Sequence, residues 1–84
     1  MRYIHELDVD DDTFGGRLYH TIIKECGSRN AFITRTGISR DTLLNYIHNK
    51  RSPNIAILVC ICKELDVSAD YLLFGEEGRK NGKR

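Results

Sequence analysis

Long apolar runs, metal-ligand spacings, phosphate-binding loops and prolines are scarce in this chain, and each scarcity removes a class of function. No apolar stretch approaches the roughly 18 residues a membrane helix needs, so a soluble protein is expected. The N-terminus carries Glu6, Asp8, Asp10, Asp11 and Asp12, too acidic for a secretory or transit signal, which makes the cytoplasm the expected compartment. Three cysteines, Cys26, Cys60 and Cys62, cannot all pair within one chain, and in a helical pattern the last two diverge. They read as small buried apolar residues with free thiols. His5, His20 and His48 stand singly, without zinc spacing, so no metal is expected. No carboxylate pair, Ser/His/Asp set or Cys/His set is suggestively spaced, and Gly15-Gly16 lacks the rest of any nucleotide motif. The chain therefore reads as no enzyme, with no catalytic residues, cofactor or small-molecule substrate.

What is present is an ordinary globular composition, 40% hydrophobic and 30% charged, in 84 residues, which is room for one core. The net charge of +1 hides a division along the chain. Residues 1–12 hold Arg2 against five acids, a net −4, and the other 72 hold 12 bases against 7 acids, a net +5. Within residues 28–54, Arg29, Arg35, Arg40, Lys50 and Arg51 face one acid, Asp41. Positive charge is thus concentrated where a nucleic-acid contact would need it.

Residues 1–12 form an acidic arm in which Tyr3, His5, Leu7 and Val9 alternate with Arg2, Ile4, Glu6 and Asp8, consistent with a short strand or with disorder. Thr13 is an N-cap candidate for a first helix over residues 13–26, with Phe14, Leu18, Ile22 and Ile23 at helical spacing and a stop at Gly27. Ser28 opens a second helix of about two turns bearing Phe32 and Ile33 and ending at Gly37. Ser39 caps a third, with Thr42, Leu43, Tyr46 and Ile47 inward or nearly so, closed by Asn49 in the left-handed conformation. A basic loop, Lys50 to Pro53, contains the single proline. Asn54 caps a fourth helix with Ile55, Leu58, Ile61, Cys62 and Leu65 in an apolar stripe. Ser68 caps a fifth, with Tyr71, Leu72 and Leu73, stopped at Gly75. Residues 76–84 are a basic polar tail, expected to fray.

Two short helices meeting at Gly37 decide the functional reading. A tight interhelical turn needs a residue that tolerates positive φ, and such a turn sets the second helix across the first with its N-terminal half projecting. On that half Arg40, Asp41, Leu44 and Asn45 are not needed by the core. Arginine can pair with guanine O6 and N7, asparagine with adenine N6 and N7, and aspartate can accept from cytosine N4. Asp41 cuts both ways: a carboxylate near phosphates costs affinity, so it is a specificity device or an argument against binding.

At this point the chain, over roughly residues 14–75, resembles the helix-turn-helix family of the phage Cro and CI repressors. The matching stretches are Ser28 to Ile33, Gly37 to Leu43, Asn49 to Pro53 and, most specifically, Leu58 to Gly75. The resemblance implies a five-helix all-α domain of the lambda-repressor type, without cofactor, whose third helix enters the major groove of a double-stranded DNA operator. It implies base contacts for Arg40, Asp41 and Asn45, with Leu44 beside them, and a phosphate or outer base for Arg29. Ser39, Lys50, Arg51 and Asn54 would hold phosphates and fix register. It further implies a homodimer on a palindromic operator, and Leu73, Phe74, Tyr3, Ile4 and Leu7 are interface candidates.

Three departures from the family pattern involve four positions. Ile33 stands where alanine is preferred because the second and third helices pass closely. Ile22 and Ile47 stand where the family often pairs an arginine with a glutamate, a joint replacement that spares the desolvation of a buried pair. Cys62 replaces a small alanine. A rival reading keeps the fold but makes it a protein-interaction module, such as an antitoxin or antirepressor. The acidic arm and Asp41 favour it, whereas Lys50, Arg51, Arg40 and Asn45 favour DNA.

Overall fold

A computed structural model describes residues 9–82, with the surroundings of the side chains of residues 9–75. Five α-helices follow one another: α1 (Phe14–Cys26), α2 (Arg29–Thr36), α3 (Arg40–Ile47), α4 (Ile55–Leu65) and α5 (Ala69–Gly82). No strand occurs among the described residues. This is the five-helix all-α architecture expected from the sequence.

The helices begin where short polar side chains can replace missing backbone acceptors. Thr13 accepts from the Gly16 N–H (3.1 Å), Ser28 from Ala31 (3.1 Å), Ser39 from Thr42 (3.2 Å), Asn54 from Ile57 (2.9 Å) and Ser68 from Tyr71 (3.0 Å). Gly27 and Gly37, at φ 88° and 79°, close α1 and α2 in the left-handed region. Asn49 also takes positive φ (62°), one residue beyond His48, which ends α3. Asp66 (φ 55°) closes α4, a stop that no glycine announced.

Gly75 interrupts α5 at φ 72° and ψ −156°, where the fifth helix was expected to stop. The backbone then winds again as far as Gly82, so the expected frayed tail is helical over most of its length.

The core is built from Leu18, Tyr19 and Ile22 of α1, Phe32 of α2, Leu43, Tyr46 and Ile47 of α3, Ile61 and Leu65 of α4 and Leu72 of α5. Helix α1 packs against all four others. Both Ile22 and Ile47 are fully buried, and Ile33 is half-buried against the cluster.

Three inward assignments need correction. Ile23 is 38% exposed because it is turned one residue past the buried face set by Leu18 and Ile22. Ile55 is 75% exposed, in the first turn of α4 ahead of the buried stretch at Ile61 and Leu65. Cys60 is exposed, next to buried Ile61, whereas Cys26 and Cys62 are half-buried. All three thiols are free, and burial pushes that of Cys62 above its ordinary range. Of the arm, Val9 packs against the core and leads into a turn rather than a strand. The Asp10 carbonyl accepts from the Thr13 N–H (3.0 Å) and hydroxyl (2.7 Å). Tyr3, Ile4 and Leu7 lie outside the described residues.

Gly15 and Gly16 have a packing reason. A Cβ on Gly15 would lie 2.0 Å from the Ile47 carbonyl oxygen, and one on Gly16 2.0 Å from that of Asp10. Next to them Arg17, 8% exposed, donates from Nε to the Leu72 carbonyl, from Nη1 to Asp11 and from Nη2 to Leu73, each at 2.9 Å. One buried guanidinium thereby ties the turn before α1 to the carbonyls just before the Gly75 break.

Two outcomes are expected. Gly15→Ala gains helix propensity of at most about 1 kcal/mol, but its methyl meets main chain that cannot rotate away, an overpacking cost of about 1–3 kcal/mol. The net is a fall in Tm of several degrees in thermal unfolding; an unchanged or raised Tm would mean the two backbones are not in contact. Arg17→Met keeps an apolar stem but abandons three carbonyls, a loss of about 2 kcal/mol or more. Hydrogen exchange should show protection lost first in α5, and a loss spread evenly over all helices would remove the special tie.

Candidate nucleic-acid interface

The turn joining α2 to α3 is Gly37, Ile38 and Ser39, and each residue has a local cause. Gly37 returns its N–H to the Ile33 carbonyl at 2.8 Å. Thr36 donates its hydroxyl to Phe32 (2.9 Å) and accepts from the Ile38 N–H (3.2 Å), satisfying a donor the turn would strand. Ile38 packs half-buried against the core, which anchors the turn. Ser39, extended at φ −70° and ψ 157°, also donates its hydroxyl to Thr42 at 2.9 Å.

Leu43, Tyr46 and Ile47 bury one side of α3. On the remainder Arg40 and Asp41 are exposed, and Leu44 and Asn45 are half-buried. Asp41 lies in the first turn of α3, where a carboxylate complements the positive end of the helix dipole, so it has a role in the helix whatever α3 meets. Arg40 donates from Nη2 to Asn30 Oδ1 of α2 at 2.7 Å.

Beyond α3 the backbone is drawn back. The Asn45 carbonyl accepts from the N–H groups of both Lys50 (2.8 Å) and Arg51 (3.2 Å). Asn49 accepts at Oδ1 from the Gly15 N–H at 2.9 Å, capping α1 from a loop 34 residues away. The basic loop is therefore fixed to both α3 and α1, with the Lys50 and Arg51 side chains exposed.

Of the residues the sequence singled out, Arg40 through Asn45 share α3, and Lys50 and Arg51 join them through Asn45. Arg29 is half-buried at the start of α2. Ser39 and Asn54 spend a side-chain oxygen on capping α3 and α4; for Asn54 the NH2 group is not used by the cap. Arg35 belongs elsewhere: it pairs with Glu64 at 3.6 Å and donates to Cys26 Sγ at 3.3 Å, linking α2 to α4 and α1. Sequence reasoning missed Asn30, Asn49 in its contact with Gly15, and Arg17. Only Asn49 carried a signal, its aptitude for positive φ.

Among the described residues no helix is long and apolar enough to cross a membrane, and no group of three or more His, Cys, Asp or Glu could hold a metal ion. Compared with protein-family models, curated proteins and solved structures, the chain matches none.

The two duties of Asn49 can be separated. Asn49→Gly keeps positive φ and loses the amide, costing about 1 kcal/mol for one hydrogen bond; Asn49→Ala loses both and should cost about 1–2 kcal/mol more. Urea midpoints in the order wild type, glycine, alanine are expected. A glycine variant at least as stable as wild type would mean that the amide contributes nothing to α1.

Proposed function

We propose that this chain is a sequence-specific double-stranded DNA-binding transcriptional regulator, acting as a dimeric repressor on a palindromic operator. The observation that carries the reading is the arrangement around α3. A capped helix follows a stapled turn, with Arg40 and Asp41 exposed, Leu44 and Asn45 half-buried, and exposed Lys50 and Arg51 bonded back to its end. Arg40 and Asn45 supply donors suited to purine edges in the major groove, and Asp41 an acceptor suited to cytosine. Lys50 and Arg51 supply charge for phosphates, which sets affinity and register without reading sequence. The resemblance to the Cro and CI repressors leads to the same residues.

A single short helix reads only a few base pairs, so two half-sites one helical turn apart supply the affinity a regulator needs. Leu73 and Phe74, 44% and 60% exposed before the Gly75 break, are left by the core for such an interface.

The deciding experiment is selection of bound duplexes from a random pool, followed by affinity for the winner and for scrambled DNA at two salt concentrations. An enriched inverted repeat with a steep salt slope is expected. No enrichment, with weak binding even at low salt, would overturn the DNA reading in favour of a protein-interaction module of the same fold. On the enriched site Arg40→Ala should cost about 1–3 kcal/mol and relax one base position, whereas Lys50→Ala should weaken all DNA alike and flatten the salt slope by about one. Equal losses on enriched and scrambled DNA from both changes would remove Arg40 as a base reader.

A further inference from the structure

Asn30 lies one residue past Arg29 in the first turn of α2, exposed, and neither its residue type nor its spacing gives it a role of its own. Its Oδ1 accepts from Arg40 Nη2 at 2.7 Å, the short end of the range for charge-assisted bonds. Because a guanidinium has donors only, the amide must turn its oxygen to Arg40, and its NH2 occupies the other branch. The contact joins α2 to α3 outside the core, between two side chains that the fold does not require.

An unrestrained arginine at the start of α3 has two competing uses. Its planar fork matches guanine O6 and N7, but the same fork matches a phosphate, which carries no sequence information. Committing one Nη2 hydrogen to Asn30 leaves four donors on Arg40 and sets the plane of the group. The donors left on Arg40 suit the acceptors of guanine and do not suit the amino groups of adenine and cytosine.

Granting the DNA-reading role on which this assignment rests, we propose that Asn30 is a positioning residue for specificity: it holds Arg40 in the plane that reads guanine, so that α2 and α3 act on that base as one unit. Asn30 carries no charge, so its loss leaves attraction to phosphates unchanged. Both side chains are exposed, so its loss leaves the core intact as well.

The test is a double-mutant cycle on the full chain with Asn30→Ala, Arg40→Ala and the double variant. Each is measured on the selected duplex, on the same duplex with the guanine assigned to Arg40 changed to adenine, and on scrambled DNA. Asn30→Ala should keep the wild-type Tm and scrambled-DNA affinity while discrimination falls about three- to tenfold. In the Arg40→Ala background the same change should do nothing further. Asn30→Asp retains the acceptor and adds a negative charge, so it should weaken binding to all DNA while keeping discrimination. Additive losses, or an Asn30→Ala variant that binds every duplex more tightly because a tether has been released, would overturn the assignment. The two levels separate cleanly: if Arg40→Ala abolishes discrimination and Asn30→Ala does not alter it, only the role of Asn30 falls. If no duplex is enriched, or Arg40→Ala leaves discrimination intact, the DNA-reading role falls and takes this assignment with it.

Discussion

The orientation of α3 depends on one close approach of main chain to main chain, that of Gly15 to the Ile47 carbonyl. Any side chain at Gly15 would occupy the position of that carbonyl, so the start of α1 reaches the end of α3 only through a glycine. The contact is completed by the Asn49 amide, which takes the Gly15 N–H left without an intrahelical partner. From there the order of consequences is fixed. Asn49 must adopt positive φ, the chain reverses, and Lys50 and Arg51 fold back onto Asn45. The basic loop is thereby held against the end of the helix that carries Arg40 and Asn45, and α1, which touches every other helix, holds the whole unit.

A domain of this size buries too little apolar surface to leave its last helix to hydrophobic packing alone. Among the described side chains of α5, Leu72 is the one that is fully buried in the core, and Leu73 and Phe74 beside it are exposed. Arg17 supplements that anchor with directed bonds. Its guanidinium meets the carbonyls of Leu72 and Leu73, where the partial negative charge of a helix C-terminus is greatest and where Gly75 ends the regular ladder. Apolar contacts would tolerate sliding or rotation of α5, whereas two bonds of fixed direction from a planar group, itself held by a third to the Asp11 carbonyl, do not. The exposed pair Leu73 and Phe74 is consequently presented at a defined place relative to α1.

The local part of this structure was legible in the sequence, and the non-local part was not. Thr13, Ser28, Ser39, Asn54 and Ser68 cap helices because each bond spans three residues, Gly27 and Gly37 end them through their own φ, and Asn49 takes positive φ one residue past the end of α3. The same locality explains why Arg40, Asp41, Leu44 and Asn45 could be placed on one short helix in advance. Arg17 with Leu72 spans 55 residues, Gly15 with Asn49 spans 34, and no periodicity encodes either. Gly15-Gly16 stands out in the sequence only against nucleotide motifs, because nothing local says which backbone will approach a glycine. Ile23, Ile55 and Cys60 were misplaced for a related reason. A helical stripe identifies a face to within about one residue, while the width of the buried part depends on what packs against it.

Under the proposed reading, the rigidity around α3 also bears on discrimination. Ordering a long side chain at an interface costs about 0.5–1.5 kcal/mol, a large part of the 1–3 kcal/mol that one bidentate base contact supplies. An arginine free in solution would lose much of its selectivity to that ordering and, having many orientations, would satisfy itself on phosphate as well as on guanine. Here Arg40 already carries a short bond to Asn30, the helix beneath it is capped by Ser39, and the turn before it is closed by Thr36. Lys50 and Arg51 differ in kind: their main chain is held while their exposed side chains keep their freedom, which suits contacts that need charge rather than direction. The division between a restrained reader and unrestrained charges follows from which side chains the fold bonds and which it leaves to solvent.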